Sequence, residues 1–275
     1  MKSLKKLVVL LLILSLFAMV GCSSGQEAEQ QGEDQNQVEQ ENNQQQAEET
    51  NLLVFSGAGL KKPMEEIKKV FESENNVKIE YTYGGSSHLL SQMELSKKGD
   101  VFISGSMDAY EAADKKGLVN PCKQVAYHIP VIAVPKGNPA GIKSLEDLAK
   151  PGVRVILGDE EANAIGKAAQ RIIKKTGLED INKNVVAKTG TINELVTHLT
   201  TTNKVDATIV TIDAIKGNEK AEMIEIPEDQ NSIEIIPVCS LKNASNPEMA
   251  EKFVEFIASD EGKAIFDKHG FKPVE

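Results

Sequence analysis

The sequence predicts an α/β protein of two lobes joined by two crossover strands. Three observations carry that expectation. Short apolar runs alternate with amphipathic segments from residue 51 onward, and repeated strand-then-helix units indicate largely parallel sheets. Two proline-bearing apolar stretches, Ile129-Pro130-Val131-Ile132-Ala133-Val134-Pro135 and Ile233-Glu234-Ile235-Ile236-Pro237-Val238-Cys239, stand about 100 residues apart. A second strand–helix series runs unbroken between them. Residues 51–128 and 236–275 therefore form one lobe and residues 129–235 the other.

The chain opens with a short basic region, Met1-Lys2-Ser3-Leu4-Lys5-Lys6, and an apolar run of about 14 residues from Leu7 to Val20. That is the pattern of an export signal, and the run is shorter than the roughly 20 residues needed to span a bilayer. Met19-Val20-Gly21-Cys22 resembles the lipobox of bacterial lipoproteins, so residues 1–22 are expected to be a leader with lipidation at Cys22. Residues 23–50 hold nine Gln and eight acids, no Lys or Arg, and only Val38 as a larger apolar residue. Such a segment cannot bury enough apolar surface to offset its ordering entropy. It reads as a disordered tether with a reach on the order of 30 Å, holding an exported domain on the outer face of the cytoplasmic membrane.

Within the folded part, residues 52–55 form a strand, and apolar Met64, Ile67, Val70 and Phe71 give residues 63–73 helical spacing. A strand over 77–83, a helix over 89–96, a strand over 101–104 and a helix over 107–116 follow, the last stopped by Gly117. After the first crossover strand come strands over 153–157, 185–187 and 207–211, with helices over 164–175 and 192–201. After the second, only helices are expected, over 247–258 and 260–269.

Composition removes several functions. With the tether's eight acids and the leader's three bases set aside, 33 acids face 28 bases of the chain's 41 and 31. This mildly acidic surface without a basic stripe excludes nucleic acid as a partner. Trp is absent and aromatic residues are 4 % of the chain, so no aromatic platform for sugars or bases is expected. Cys122 and Cys239 follow no metal-ligand spacing and are left as either a disulfide or two unpaired small hydrophobes.

No catalytic signature survives inspection. Gly57-x-Gly59 starts like a dinucleotide fingerprint, but Lys62 holds the third glycine's place. Gly158 and Gly166-Lys167 are spaced too widely for a phosphate-binding P-loop. His88, His128, His198 and His269 stand singly and read as surface or packed histidines. Neither an enzyme, nor a bound metal cation, nor a cofactor is expected.

What recurs is a type of helix start. Gly57-Ala58-Gly59, Gly84-Gly85-Ser86-Ser87, Asn163-Ala164-Ile165-Gly166 and Gly190-Thr191 each follow a strand and open a helix. Thr191-x-x-Glu194 adds a capping box. A helix N-terminus presents unpaired amides and a partial positive charge, and so attracts anions. Two such starts from each lobe suit a cleft that closes on one small oxyanion.

Here the residues resemble a known family. Val54-Phe55-x-x-Ala58-x-Leu60, Tyr83-Gly84-Gly85-Ser86-Ser87-x-Leu89, Gly99-Asp100-Val101-Phe102 and Val134-Pro135-Lys136-Gly137-Asn138-Pro139 are similar to the periplasmic molybdate-binding proteins of ABC importers. So are Ser144-Leu145-Glu146-Asp147-Leu148, Asn246-Pro247-Glu248 and the ending Glu261-Gly262-Lys263-Ala264-Ile265-Phe266. The resemblance implies a type 2 periplasmic binding protein fold closing around molybdate or tungstate. It places ligand contacts at Ala58, Gly59, Ser86, Ser87, Ile165, Ile192 and Thr211. Gly59 falls where the family has a serine, with Ser56 as a nearby substitute hydroxyl, and Thr211 falls where it has a tyrosine.

The expected protein is thus a monomeric, lipid-anchored solute-binding protein that captures an oxyanion and delivers it to an ABC permease and its ATPase. Hydrogen-bond donors, and neither Lys nor Arg, are expected to carry recognition. Two readings compete with molybdate or tungstate transport. One is another anion in the same fold, such as sulfate, phosphate or a small carboxylate. The other is a surface lipoprotein that senses or adheres without transport.

Overall fold

A computed structural model describes residues 50–202 and 204–275. The leader, Cys22 and the tether up to residue 49 lie outside the described residues. Thr50, assigned above to the tether, already pairs with Val77 as the first residue of a strand.

Two mixed sheets form the frame. The first draws on β1 (Thr50–Gly57), β2 (Val77–Gly84), β3 (Val101–Ile103), β4 (Lys123–His128), β10 (Glu234–Ser240) and β11 (Lys272–Pro273), in the order β11-β4-β10-β3-β1-β2. The second holds β5 (Pro130–Pro135), β6 (Val155–Gly158), β7 (Val185–Thr189), β8 (Ala207–Thr211) and β9 (Ala221–Glu225), in the order β7-β6-β8-β5-β9. Each sheet contains a parallel trio, β2-β1-β3 and β7-β6-β8. The remaining pairings are antiparallel, which corrects the expectation of largely parallel sheets. The crossovers are the cause: β5 enters the second sheet, and β10 re-enters the first, against the local strand direction. The short strands β4, β9 and β11 were not anticipated, and β11 corrects the expectation of helices alone after the second crossover.

Helices α1 (Lys61–Glu74), α2 (Ser86–Ser96), α3 (Met107–Lys115), α8 (Pro247–Ala258) and α9 (Asp260–Lys268) cover the first sheet, and α4 (Leu145–Leu148), α5 (Ala164–Thr176), α6 (Ile192–Thr201) and α7 (Ile212–Ile215) belong to the second. β1 shows why its apolar run is continuous rather than alternating. Leu52 and Val54 face one core with Ile67, Phe71, Phe253 and Phe266, whereas Phe55 faces another with Leu89, Met93 and Phe102. A strand covered on both faces has no polar side to show. A third core, around Ile132, Leu157, Ile172, Leu195 and Ile209, belongs to the second sheet.

The chain crosses between sheets at Ile129 and again between β9 and β10. Prolines sit where a ladder tolerates a missing amide: Pro130 and Pro135 end β5, and Pro237 marks a register shift opposite β4. Asn231 ties the crossings together, its Nδ2 donating to the Pro130 carbonyl at 2.9 Å. Cys122 and Cys239 are both thiols, and burial holds both in the neutral form.

Asp100 pins the first sheet. Its buried carboxylate accepts from the Leu53 amide at 2.7 Å and from the amide and hydroxyl of Ser245 at 2.6 and 2.8 Å. Gly99 before it has φ +118°, and a Cβ there would lie 2.4 Å from the Phe55 ring. Asp100→Ala leaves these donors unpaired and is expected to lower the unfolding free energy by about 3 kcal/mol or more. Urea denaturation measures this; a loss below about 1 kcal/mol would show the carboxylate to be dispensable.

Candidate functional site

Adjacent parallel strands in each sheet end at the same interlobe cleft. In the first sheet, β1 ends at Gly57 and turns through a single 3-10 turn, Ala58–Leu60, into α1. Beside it β2 ends at Gly84, and Gly85 caps α2. In the second, β6 ends at Gly158 and Asn163 caps α5, while β7 ends at Thr189 and Thr191 caps α6. Ligands in open α/β sheets sit outside such strand ends.

The caps in the second sheet are built from side chains. Asn163 Oδ1 accepts from the Gly166 amide at 2.8 Å, and its Nδ2 donates to the Thr189 carbonyl at 2.8 Å, fastening α5 to the end of β7. Thr191 Oγ1 accepts from the Glu194 amide at 3.3 Å, but the Glu194 carboxylate accepts from Gly190 rather than from Thr191, at 3.0 Å. The box reaches back one residue further than the sequence motif implies. First-turn amides have no acceptor within their own helix, and residues of each start line the cleft.

These starts converge on one cavity of about 50 Å³, lined among others by Ala58, Gly59, Ser86, Ile165, Ile192 and Thr211. Such a volume holds roughly three to five waters, or one small polyatomic ion. Six of the eight residues suggested by the sequence are thus brought together. Ser56 is not: it is fully buried, and its hydroxyl donates to the Gly57 carbonyl at 3.4 Å. It shares the strand face of Leu52 and Val54 and so points toward the core. Ser87 lines a smaller neighbouring cavity, and its amide donates across the cleft to the Ala162 carbonyl at 3.3 Å.

The two lobes touch, so the cleft is closed. Asn193 Nδ2 donates to the Ala58 carbonyl at 3.0 Å. A Cβ on Gly85 would lie 2.5 Å from the Ala162 carbonyl oxygen and 2.8 Å from that of Gly190. A Cβ on Gly59 would lie 3.0 Å from the Ile192 side chain, a tight contact that a serine there would have to relieve. Arg171 on α5 bridges the lobes, pairing with Asp108 of α3 at 2.6 Å and with Glu234, while its Nε donates to Ser232 at 3.1 Å.

Two titratable lining residues were missed from sequence. His128 and Glu234 face each other in register at the cleft ends of β4 and β10. Burial pushes the Glu234 carboxyl up, and the Arg171 guanidinium opposes that rise. Neither Lys nor Arg is among the lining residues, yet an imidazole and a carboxylate are. Their signal in the sequence was position: His128 stands just before the first crossover stretch and Glu234 within the second, where the chain must pass the cleft. Among the described residues no group of His, Cys, Asp or Glu has the makings of a metal-ion site.

Comparison with known proteins places this architecture. The family described as "Bacterial extracellular solute-binding protein" matches residues 52–272. A Haemophilus influenzae protein named "Putative binding protein" is 32 % identical over 226 residues, covering 82 % of this chain and 91 % of that one. The Mycobacterium tuberculosis "Molybdate-binding protein ModA" is 29 % identical over 224 residues, covering 80 % and 84 %. Among solved structures, the "substrate binding domain of putative molybdenum ABC transporter from Clostridium difficile" superposes with a TM-score of 0.64 at 26 % identity, over 82 % of this chain and 100 % of that one. Because the family match starts in β1 and ends in β11, it runs through both lobes, and the chain belongs to the bacterial extracellular solute-binding proteins, which serve ABC importers by binding and are not enzymes.

Proposed function

We propose that this protein captures a tetrahedral oxyanion, molybdate or tungstate, and hands it to an ABC permease driven by its ATPase. The observation that carries this reading is the convergence of four helix starts, two from each sheet, on one ion-sized cavity without Lys or Arg. The names of the mycobacterial relative and of the clostridial domain favour molybdate among oxyanions. The lipobox-like Met19-Val20-Gly21-Cys22 and the acidic tether support a lipid anchor at Cys22 on the outer face of the cytoplasmic membrane.

The mechanism is a population shift. Sheet-one donors at Ala58, Gly59 and Ser86 and sheet-two donors at Ile165 and Ile192 meet one anion only when the lobes close. The ligand therefore favours the closed form by the donors that form alone offers. Closure also removes water, which strengthens each charge-assisted hydrogen bond.

Calorimetric titration with molybdate, tungstate, sulfate and phosphate tests the reading. Molybdate or tungstate should bind most tightly; binding of sulfate or phosphate with neither of these would refute the named ligand. A hydrogen bond to a charged group contributes about 1.5–3 kcal/mol, so Ser86→Ala is expected to weaken binding at least about tenfold. Gly85→Ala checks closure separately. Its Cβ meets two backbone oxygens that cannot swing aside, so affinity should fall by about tenfold or more, ~1.4 kcal/mol, with unfolding by urea little changed. Retained affinity in that variant would mean that ligand binds without this closure.

A further inference from the structure

His128 is the lining residue whose chemistry differs from its neighbours. It is 9 % exposed, and its Nδ1 lies 2.8 Å from the Gly105 carbonyl oxygen. A carbonyl oxygen only accepts, so Nδ1 carries a proton. The other nitrogen, Nε2, is buried, has no hydrogen-bond partner, and belongs to a side chain that lines the cavity. With Nδ1 fixed, Nε2 has two states. It is a bare lone pair in the neutral ring and an N–H donor in the imidazolium. Every other cleft contact proposed above is a backbone amide or a hydroxyl, and no amide can make that change.

We propose that His128 contacts the bound anion through Nε2 and that this contact always contains one proton, supplied by solvent or by the ligand. A fully deprotonated oxyanion such as molybdate binds with uptake of one proton from solvent, which becomes the Nε2–H that donates to a ligand oxygen. A hydrogen oxyanion such as hydrogen phosphate brings its own O–H, which donates to the Nε2 lone pair. The two complexes hold the same number of protons in that contact. This inference rests on the anion-cleft reading and deepens it, because it states which protonation states the cleft admits. Affinity for a deprotonated anion then rises as pH falls, because that complex takes up a proton.

Other titrating groups face the ring and are separable from it. Asp213 on α7 is pushed up by burial and opposed by the charge of His128 and, more weakly, of Lys62 on α1. Glu234 on β10 stands opposite His128 in register and pairs with Arg171 on α5, and Lys167 on the same helix also acts on it. From the C-terminal side the ring packs against Phe271, with centroids 5.5 Å apart.

The test is a count of protons. The full chain is titrated with molybdate, sulfate and phosphate at pH 8 in two buffers of different ionisation enthalpy, and the dependence of heat on buffer gives the protons exchanged. Uptake near one is expected for molybdate and for sulfate, with affinity falling as pH rises; uptake near zero is expected for phosphate. His128→Gln should abolish the uptake, while Asp213→Asn and Glu234→Gln should keep it. The wild-type count stands without any variant, should His128→Gln fail to fold. Molybdate bound with no proton taken up, or with uptake that survives His128→Gln, overturns the role of His128 and leaves the anion cleft intact. Failure of both molybdate and sulfate to bind overturns the two readings together.

Discussion

The structure turns on how closely two backbones approach across a cleft. An anion held by main-chain amides must lie within hydrogen-bond reach of helix starts in both lobes at once. Side chains at those starts would hold the lobes apart. Gly85 faces two carbonyl oxygens and Gly59 faces Ile192, each at a distance that admits a hydrogen and resists a methyl. Gly105 is similarly pressed between His128 and Ala164. The small residues at the strand ends are thus explained by what faces them, beyond the turns they make.

A cleft that must also release its ligand cannot be closed too strongly. The direct links between lobes in the closed form include the Asn193–Ala58 and Ser87–Ala162 hydrogen bonds and the ion pairs of Arg171 with Asp108 and Glu234. The Arg171–Asp108 pair is exposed on both sides, at 39 % and 42 %, and a pair so wet contributes at most about 1 kcal/mol. Such a margin lets a ligand with several charge-assisted contacts decide the equilibrium. Strength is concentrated elsewhere, in the separate cores and in the Asp100 staple, so that each lobe moves as a unit.

The local part of this design was legible in the sequence. α6 falls on residues 192–201 as its periodicity indicates, and the four helix starts are visible as small residues following apolar runs. What was not legible depends on partners distant in the chain. β4 and β11 gain their pairing from each other and from β10, and the mixed strand directions follow from where the crossovers re-enter each sheet. Ser56 looked like a cleft hydroxyl because it adjoins the glycine turn, yet strand parity turns it toward the core. His128 looked like an ordinary packed histidine for the opposite reason. Its burial is ordinary, but its neighbours are the cleft floor, which takes shape only once β4 and β10 pair.

That floor has a consequence for the order in which contacts form. His128 and Glu234 belong to the same sheet as the helix starts at Gly59 and Ser86, so opening the lobes does not separate them from those donors. The second-sheet starts at Ile165 and Ile192 are the part that moves away. A ligand entering the open cleft therefore meets a half-site that already contains amides, a hydroxyl, an imidazole and the Glu234 carboxylate, whose Arg171 partner on α5 belongs to the other lobe. The charge of the ligand is tested there first, and closure then adds donors that carry no charge of their own. Selectivity by protonation state and gain in affinity on closing are in this way assigned to different lobes.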